Sequence, residues 1–504
     1  MKREQLSDAI GMLDDGCITE HLHYKSRRPW WYAAVAVAAC VAILLGGLTV
    51  WPYLKDGHTP PVVDTPTNDG GAVTTTTPST KPTHKENPIM PMMIPLATPV
   101  YPKMAARPAE YEEVAWDAWR DGVTAQRQQV QGQSEGMTDF YRRTMATFLA
   151  GEAGENRVYS PLNVYMALSM LAETADGNSR QQILDLLGQT NLTALRQKNA
   201  ALWNGVYLDD GAVLSRLANS LWLAEGERWQ YDTATADTLA KHYYASTFKG
   251  KMGDPAYDAA LQKWINDQTD NLLTEQAANL QFDPDTALAL ASTICFKAKW
   301  SDEFDPDATV DGKFHAAAGD VDCRYMKQGV MGTAYYGNRF TAISLGLDDG
   351  AYQMFFFLPD EGVSVDELIA DRQVLSVVQD PYECGLNKYL QIKMSIPKFD
   401  VASDRDLAQG LKALGVTDVF DAQKGNFEGI LESQTEQVFV SKVDHAARVA
   451  IDEEGVTAAA YTVELLCGTG APMDTLEFVA DRPFLFAITG PGNTLMFTGI
   501  VEQP

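Results

Sequence analysis

The chain is short of basic residues. Forty Lys and Arg stand against 67 Asp and Glu, a formal charge of −27. An acidic surface of that size repels a phosphate backbone, which argues against a nucleic-acid partner and otherwise favours solubility. Cysteine is scarce too. The six thiols, Cys17, Cys40, Cys295, Cys323, Cys384 and Cys467, form no CxxC pair. That argues against a disulfide scaffold and for buried free thiols at Cys295 and Cys323. No GxSxG, HExxH, P-loop or GxGxxG motif occurs, so the common signatures of hydrolases, zinc proteases and nucleotide binding are missing. Cys17, His21 and His23 lie close in sequence without a fourth zinc ligand. No cofactor and no metal are expected.

Long apolar runs are rare, and one stands out. Ala33 to Val50 reads AAVAVAACVAILLGGLTV, with no charge. Trp30, Trp31 and Tyr32 flank it on one side, Trp51 and Tyr53 on the other. About 20 apolar residues cross a bilayer as a helix, and aromatic rings collect at both interfaces. Lys25, Arg27 and Arg28 precede the run and only Lys55 closely follows it. The positive-inside rule then places the N-terminus in the cytoplasm and the rest outside. A cleaved signal peptide is the alternative, but the leader is long and acidic and the apolar run exceeds a signal core of about 7–15 residues. The expected organisation is a cytoplasmic leader (1–29), a transmembrane signal anchor (30–51) and a Pro/Thr-rich extracytoplasmic linker (52–109). The linker, from TPPVVDTP through TTTTPST to NPIMPMMIPLATPVYPK, has neither helical nor strand period and reads as an extended spacer.

Past the linker the composition turns globular. A helical lead-in (110–136) is expected, with Val114, Trp116 and Trp119 as apolar anchors. It is followed by one folded domain (137–504). PLNVYMALSMLAET carries Ser160 at a cap and Pro161 in the first turn of a helix. Other helices are expected at 179–187, 233–244, 257–273 and 404–414. ALALASTICFKAKW, AYQMFFFLPD, YLQIKMSIPKF, EQVFVSKVDHAARVAI, RPFLFAI and TLMFTGIV are β-branched or aromatic and end in turn residues, as strands do. Phe355 to Phe357 mark a strand buried on both faces. Early helices and long later strands predict an α+β fold with large, mostly antiparallel sheets.

Ser441, Asp444 and His445 invite a catalytic triad. VFVSKVDH reads as a strand, however, where neighbours 444 and 445 point to opposite faces. A triad also demands a positioned oxyanion hole. His445 is expected to be a buried, hydrogen-bonded histidine.

Six segments in order carry a resemblance. They are NRVYSPLNVYMALSMLAETADGNSRQQI, LALASTICFKAKWSDEF, IPKFDVASDRDLAQGLKALGVTDVFD, HAARVAIDEEGVTAAAYT, FVADRPFLFAI and TLMFTGIVEQP. Together, from about Met137 to Pro504, they resemble the serpins, the serine-protease-inhibitor fold. The anchor and stalk make the chain look more like membrane-anchored bacterial serpins than secreted animal ones. The resemblance implies a large main sheet, further sheets, a cluster of helices and an exposed reactive-centre loop. It implies a protease inhibitor rather than an enzyme. A protease attacks one loop bond, and the cleaved loop then enters the main sheet as a new strand; in this family that step is a known case of β-strand addition with release of stored strain. About a dozen ladder residues at about 1 kcal/mol each would supply a driving force on the order of 10 kcal/mol.

The resemblance also places the parts. Glu453, Glu454 and Gly455 match the hinge, followed by Val456, Thr457, Ala458, Ala459 and Ala460. The alanines are small enough to pass between strands, and Gly455 offers backbone freedom. Family spacing puts the reactive bond at Thr469–Gly470, with Cys467 or Gly468 as alternatives if the register slips. A small Thr suits elastase-like or subtilisin-like pockets rather than trypsin-like ones. Lys398 and Glu453 correspond to an ion pair at the top of the main sheet, with Trp300 beside them. Ser160 and His445 belong to the central region that must part. Asn163 stands where a second serine is common and Ser292 where the family usually has Asn, a swap that could preserve the hydrogen bonds. Val456 replaces the usual Thr or Ser, and Glu464 would share the buried face on insertion. The implied partner is a target serine protease and the implied state is a monomer. The rival reading is a non-inhibitory serpin-fold binding or structural protein.

Overall fold

The computed structural model describes residues 93–108, 112–151, 154–348, 350–456 and 474–504. Residues 1–92, including the expected leader and anchor, lie outside these. So do Thr457, Ala458, Ala459, Ala460, Glu464, Cys467, Thr469 and Gly470. Among the described residues no helix is long and apolar enough to cross a membrane.

In chain order the helices are α1 (Glu113–Arg127), α2 (Thr138–Phe148), α3 (Pro161–Thr174), α4 (Gly177–Leu187), α5 (Leu192–Val206), α6 (Thr233–His242), α7 (Pro255–Gln268), α8 (Thr274–Ala277), α9 (Asp366–Ile369), α10 (Arg372–Gln379) and α11 (Ala408–Ala413). The strands are β1 (Ile94–Ala97), β2 (Arg157–Tyr159), β3 (Leu208–Asp209), β4 (Leu214–Ala224), β5 (Ala245–Gly250), β6 (Leu288–Lys299), β7 (Val310–Ala316), β8 (Gly319–Tyr336), β9 (Phe340–Leu347) and β10 (Tyr352–Pro359). They continue with β11 (Asn387–Pro397), β12 (Phe399–Asp406), β13 (Asp444–Ile451), β14 (Gly455–Val456), β15 (Thr475–Val479), β16 (Phe484–Gly490) and β17 (Thr494–Val501).

The strands form two sheets. The main sheet runs β1-β5-β4-β6-β14-β13-β12, with β3 paired to β4; the second runs β15-β11-β8-β9-β10-β16-β17-β2, with β7 paired to β8. Only β4/β5 and β11/β15 are parallel among these ladders, so the sheets are mostly antiparallel, as composition and order predict. Phe355, Phe356 and Phe357 of β10 are fully buried, and β10 pairs on one side with β9 and on the other with β16. Helix α3 lies in the core, touching both β6 and β17. Ser160 caps it by accepting the Asn163 amide at 3.1 Å, and Pro161 occupies the first turn, where no amide partner is lost.

Four expectations are corrected. The end of the presumed spacer is not periodless: Ile94–Ala97 adds to the edge of β5. Pro95 inside it and its four-residue length hid it, because an edge strand tolerates a missing amide on its outer side. Val114 is 76% exposed, and the helix buries Trp119 and Val123 instead. The helix expected at 404–414 begins only at Ala408, because Phe399–Asp406 continue as β12. The strand expected from Glu436 begins only at Asp444, after an irregular approach through Ser441.

Candidate functional site

β14 is two residues long and lies between β6 and β13. Gly455 pairs with Lys299, Val456 with Ala298, and Ile451 with Val456. Below β14 no ladder joins β6 to β13 among the described residues. A cavity of about 520 Å³ opens there. Ala289, Ala291 and Thr293 of β6 line one side and Asp444, His445 and Ala446 of β13 the other; Leu168 and Leu171 of α3 and Leu261 and Ile265 of α7 also line it. Among the described residues, the main sheet therefore leaves a gap, or slot, between β6 and β13 with a two-residue plug at its top.

The plug is held by the turn from β13 to β14. The Asp452 carboxylate accepts the amides of Glu454 (3.0 Å) and Gly455 (3.2 Å), and the Asp452 amide donates to the Gly455 carbonyl (3.1 Å). A short polar side chain bonding the backbone two and three residues on is how Asp closes a tight turn. Gly455 is required here for space rather than for an unusual φ. A Cβ at this position would stand 2.3 Å from the Ala298 carbonyl oxygen and 2.6 Å from the Lys299 Cα. Val456 is 2% exposed, so the branched apolar side chain fits its pocket.

Lys398 and Trp300 close over the same turn. Lys398 Nζ donates to Glu453 Oε2 at 2.6 Å, and Thr309 Oγ1 donates to Glu453 Oε1 at 2.8 Å. Burial alone would push the Glu453 carboxyl up, but these two bonds, with the Lys398 charge, outweigh it and hold it below its ordinary value. Trp300 donates its ring N–H to the Asp452 carbonyl (2.8 Å) and its amide to the Glu454 carbonyl (3.0 Å).

Lower in the slot the contacts are side-chain bonds around the start of α3. The Ser160 amide donates to His445 Nε2 at 3.1 Å. Asn163 donates to the Ser292 carbonyl at 3.0 Å. The Ser292 hydroxyl sits within reach of Asn163 Oδ1 and of Asn219 Oδ1 (2.6 Å). Asn219 in turn donates to the Tyr243 carbonyl at 2.7 Å. Ser160, Asn163, Ser292 and His445 thus meet in one cluster, and the swapped Asn163/Ser292 pair keeps a hydrogen bond between α3 and β6. Helix α3 joins the two banks of the slot, His445 on β13 and Ser292 on β6, through one polar relay. Burial of the His445 ring lowers its pKa to about 4, and its Nε2 accepts a bond only while unprotonated.

No triad forms. Asp444 is turned away to Lys442 at 2.5 Å, while the adjacent His445 is buried against Ser160. Thr309 and Asn219 escaped the sequence reading of the site; both are distant in sequence from the hinge and carry no signal for it. Asp452 is one of the three acids that read as the hinge beside Gly455, and the structure adds its turn-closing bonds.

The comparisons agree with this geometry. A family model described as Serpin (serine protease inhibitor) matches residues 135–504. Serpin-ZX of Arabidopsis thaliana is 27% identical over 369 residues, 69% of this chain and 92% of that protein. Among solved structures, the native state of tengpin, a thermophilic serpin, superposes with a TM-score of 0.67 at 21% identity, covering 82% of this chain and 100% of tengpin. Human thyroxine-binding globulin superposes with a TM-score of 0.64 at 21% identity, over 75% of this chain and 99% of its own. The family is one of protease inhibitors rather than of enzymes in the catalytic sense. With six ordered sequence motifs, a slotted main sheet and a family match over most of its length, this chain belongs to the serpin family.

Proposed function

We propose that the chain is a membrane-anchored, extracytoplasmic serpin that irreversibly inhibits serine proteases. The single observation that carries this reading is the slot: among the described residues, a plug of two hinge residues stands above a gap between β6 and β13. In this reading a protease cuts Thr469–Gly470 and is held as an acyl-enzyme. The freed strand then continues from Val456 down the slot.

Continuing the observed register supports the fit. Val456 faces Ala298 and Ile451. Two-residue steps then set Ala458 and Ala460 against the middle of β6, and Thr462 between Ser292 and His445. A hydroxyl at that level can replace the bonds of the polar relay. Glu464 reaches Val443, one residue before β13 begins and beside Lys442. There its charge lies at the half-buried end of the slot, beside exposed Ser441 and Lys442, rather than in the core. The apolar run at 33–50 supports anchoring, with the N-terminus cytoplasmic. A small residue at the cut bond favours elastase-like or subtilisin-like targets.

The alternative is a non-inhibitory serpin-fold binding or structural protein. The neighbour named for binding thyroxine illustrates that the fold alone does not fix the function. Incubation with elastase, chymotrypsin and subtilisin, followed by denaturing electrophoresis, separates the two. An SDS-stable complex with elastase or subtilisin is expected. Cleavage within 457–473 without any complex across the panel favours the alternative.

A further inference from the structure

Residues 93–108 and 112–127 precede the family match at 135, yet they are built into the domain. β1 lies antiparallel on β5, with Ile94 opposite Lys249 and Ala97 opposite Thr247. Tyr101 stacks on Trp203, centroids 5.3 Å apart and planes within 9°. The Arg107 amide donates to the Asp210 carbonyl at 2.8 Å, its guanidinium lies 4.7 Å over the Trp119 ring, and it forms an ion pair with Asp348. Arg127 approaches the same carboxylate at 4.0 Å.

Asp348 connects this segment to the hinge. It sits in the β9–β10 turn with φ +55°, a left-handed conformation that Asp tolerates better than most residues. Its amide donates to the Lys299 carbonyl at 2.7 Å, and its carbonyl accepts the Ser301 hydroxyl at 2.8 Å. Lys299 is the residue opposite Gly455 in the β6–β14 pairing. A continuous path therefore runs from Arg107 through Asp348 and Lys299 to the plug of the slot. The same segment grips the sheet's far edge through β1.

We infer that residues 93–108 and 112–127 are a cis-acting clasp, an intramolecular peptide ligand of the β5 edge and the Trp203 ring whose attachment sets how readily the plug leaves the top of the slot. While attached, the clasp holds the Asp348 turn against the end of β6 and, through β1, ties β5 of the main sheet to the β9–β10 turn of the second sheet. Released, it frees the β6 end to part from β14. The clasp acts on sheet opening itself, so its test needs no protease, and its failure is distinguishable from failure of the inhibitory reading.

The test is amide hydrogen exchange on the full chain, comparing wild type with Tyr101→Ala and, separately, Arg107→Ala. The expected result is exchange at least tenfold faster at Ala298, Lys299, Gly455 and Val456 in both variants, with Phe355–Phe357 unchanged. Arg107→Lys, which keeps a charge beside Asp348, should lie between wild type and Arg107→Ala. It also serves if Tyr101→Ala fails to fold. Faster exchange confined to residues 93–108, with the plug unaffected, would make the segment a passive addition and overturn the inference. Wild-type exchange at the plug in every folded variant would overturn it equally.

Discussion

The second sheet and the main sheet are made of similar strands but are closed differently. In the second sheet β10 is paired along both sides, and Phe355–Phe357 fill both faces. In the main sheet β6 and β13 are joined by two backbone-paired residues at the top and by a side-chain relay lower down. A closed ladder can be lost only by unfolding. A gap bridged by Ser160, Asn163, Ser292 and His445 can be parted by exchanging those bonds for others. Stability and responsiveness are thus assigned to different sheets of one domain.

That contrast can be broken or sharpened by comparing the native chain with the chain nicked in the 457–473 segment. Phe356→Ala should have the largest effect, a loss of about 3–5 kcal/mol from cavity formation in a closed core. It should lower the melting temperature of both forms together, since β10 does not take part in insertion. A loss confined to one form would mean that the second sheet also rearranges.

Acid should act next, through His445. Its folded-state pKa of about 4 lies below the ordinary value, so the fold binds fewer protons than the unfolded chain. Its contribution is complete above about pH 6.5, declines as the pH falls towards about 4, and is gone below that, a change on the order of 3 kcal/mol. Urea titrations across this window should show the decline in wild type, and His445→Gln should remove that share of it while leaving the general acid sensitivity of the carboxylates. Parallel pH curves for the two proteins would contradict the buried acceptor role.

Ser292→Ala should cost the native form about 1–3 kcal/mol, because Asn163 and Asn219 lose a common partner in a confined site. The nicked form, with its slot filled, should lose less, so the difference between the two melting temperatures should widen. Lys398→Ala should have the smallest effect, about 1 kcal/mol, since the pair with Glu453 is partly open to solvent. Its more informative readout is faster escape of Val456, detected as faster amide exchange there.

The architecture was legible where physics is local. The FFF run predicted a doubly buried strand because nothing polar interrupts it, and adjacent residues on a strand must diverge, which separated Asp444 from His445 without coordinates. The slot was not legible in the same way. Lys398 and Glu453 are 55 positions apart by number, and only the family resemblance brought them together in the sequence reading. Ile94–Ala97 was misread because its pairing information resides in β5, not in its own proline-rich letters. Gly455 was expected for its backbone freedom, whereas the constraint is the β6 backbone standing against it. That requirement exists only once the two chain segments meet.

The central claim is that the main sheet holds a gap which the segment after Val456 fills when cut. The most direct test is the melting temperature of the whole chain before and after a single proteolytic nick within 457–473. Filling the slot adds about a dozen ladder bonds, so stabilisation on the order of 10 kcal/mol and a steep rise in melting temperature are predicted. An unchanged or lower melting temperature in a chain verified to be cut once would contradict the account.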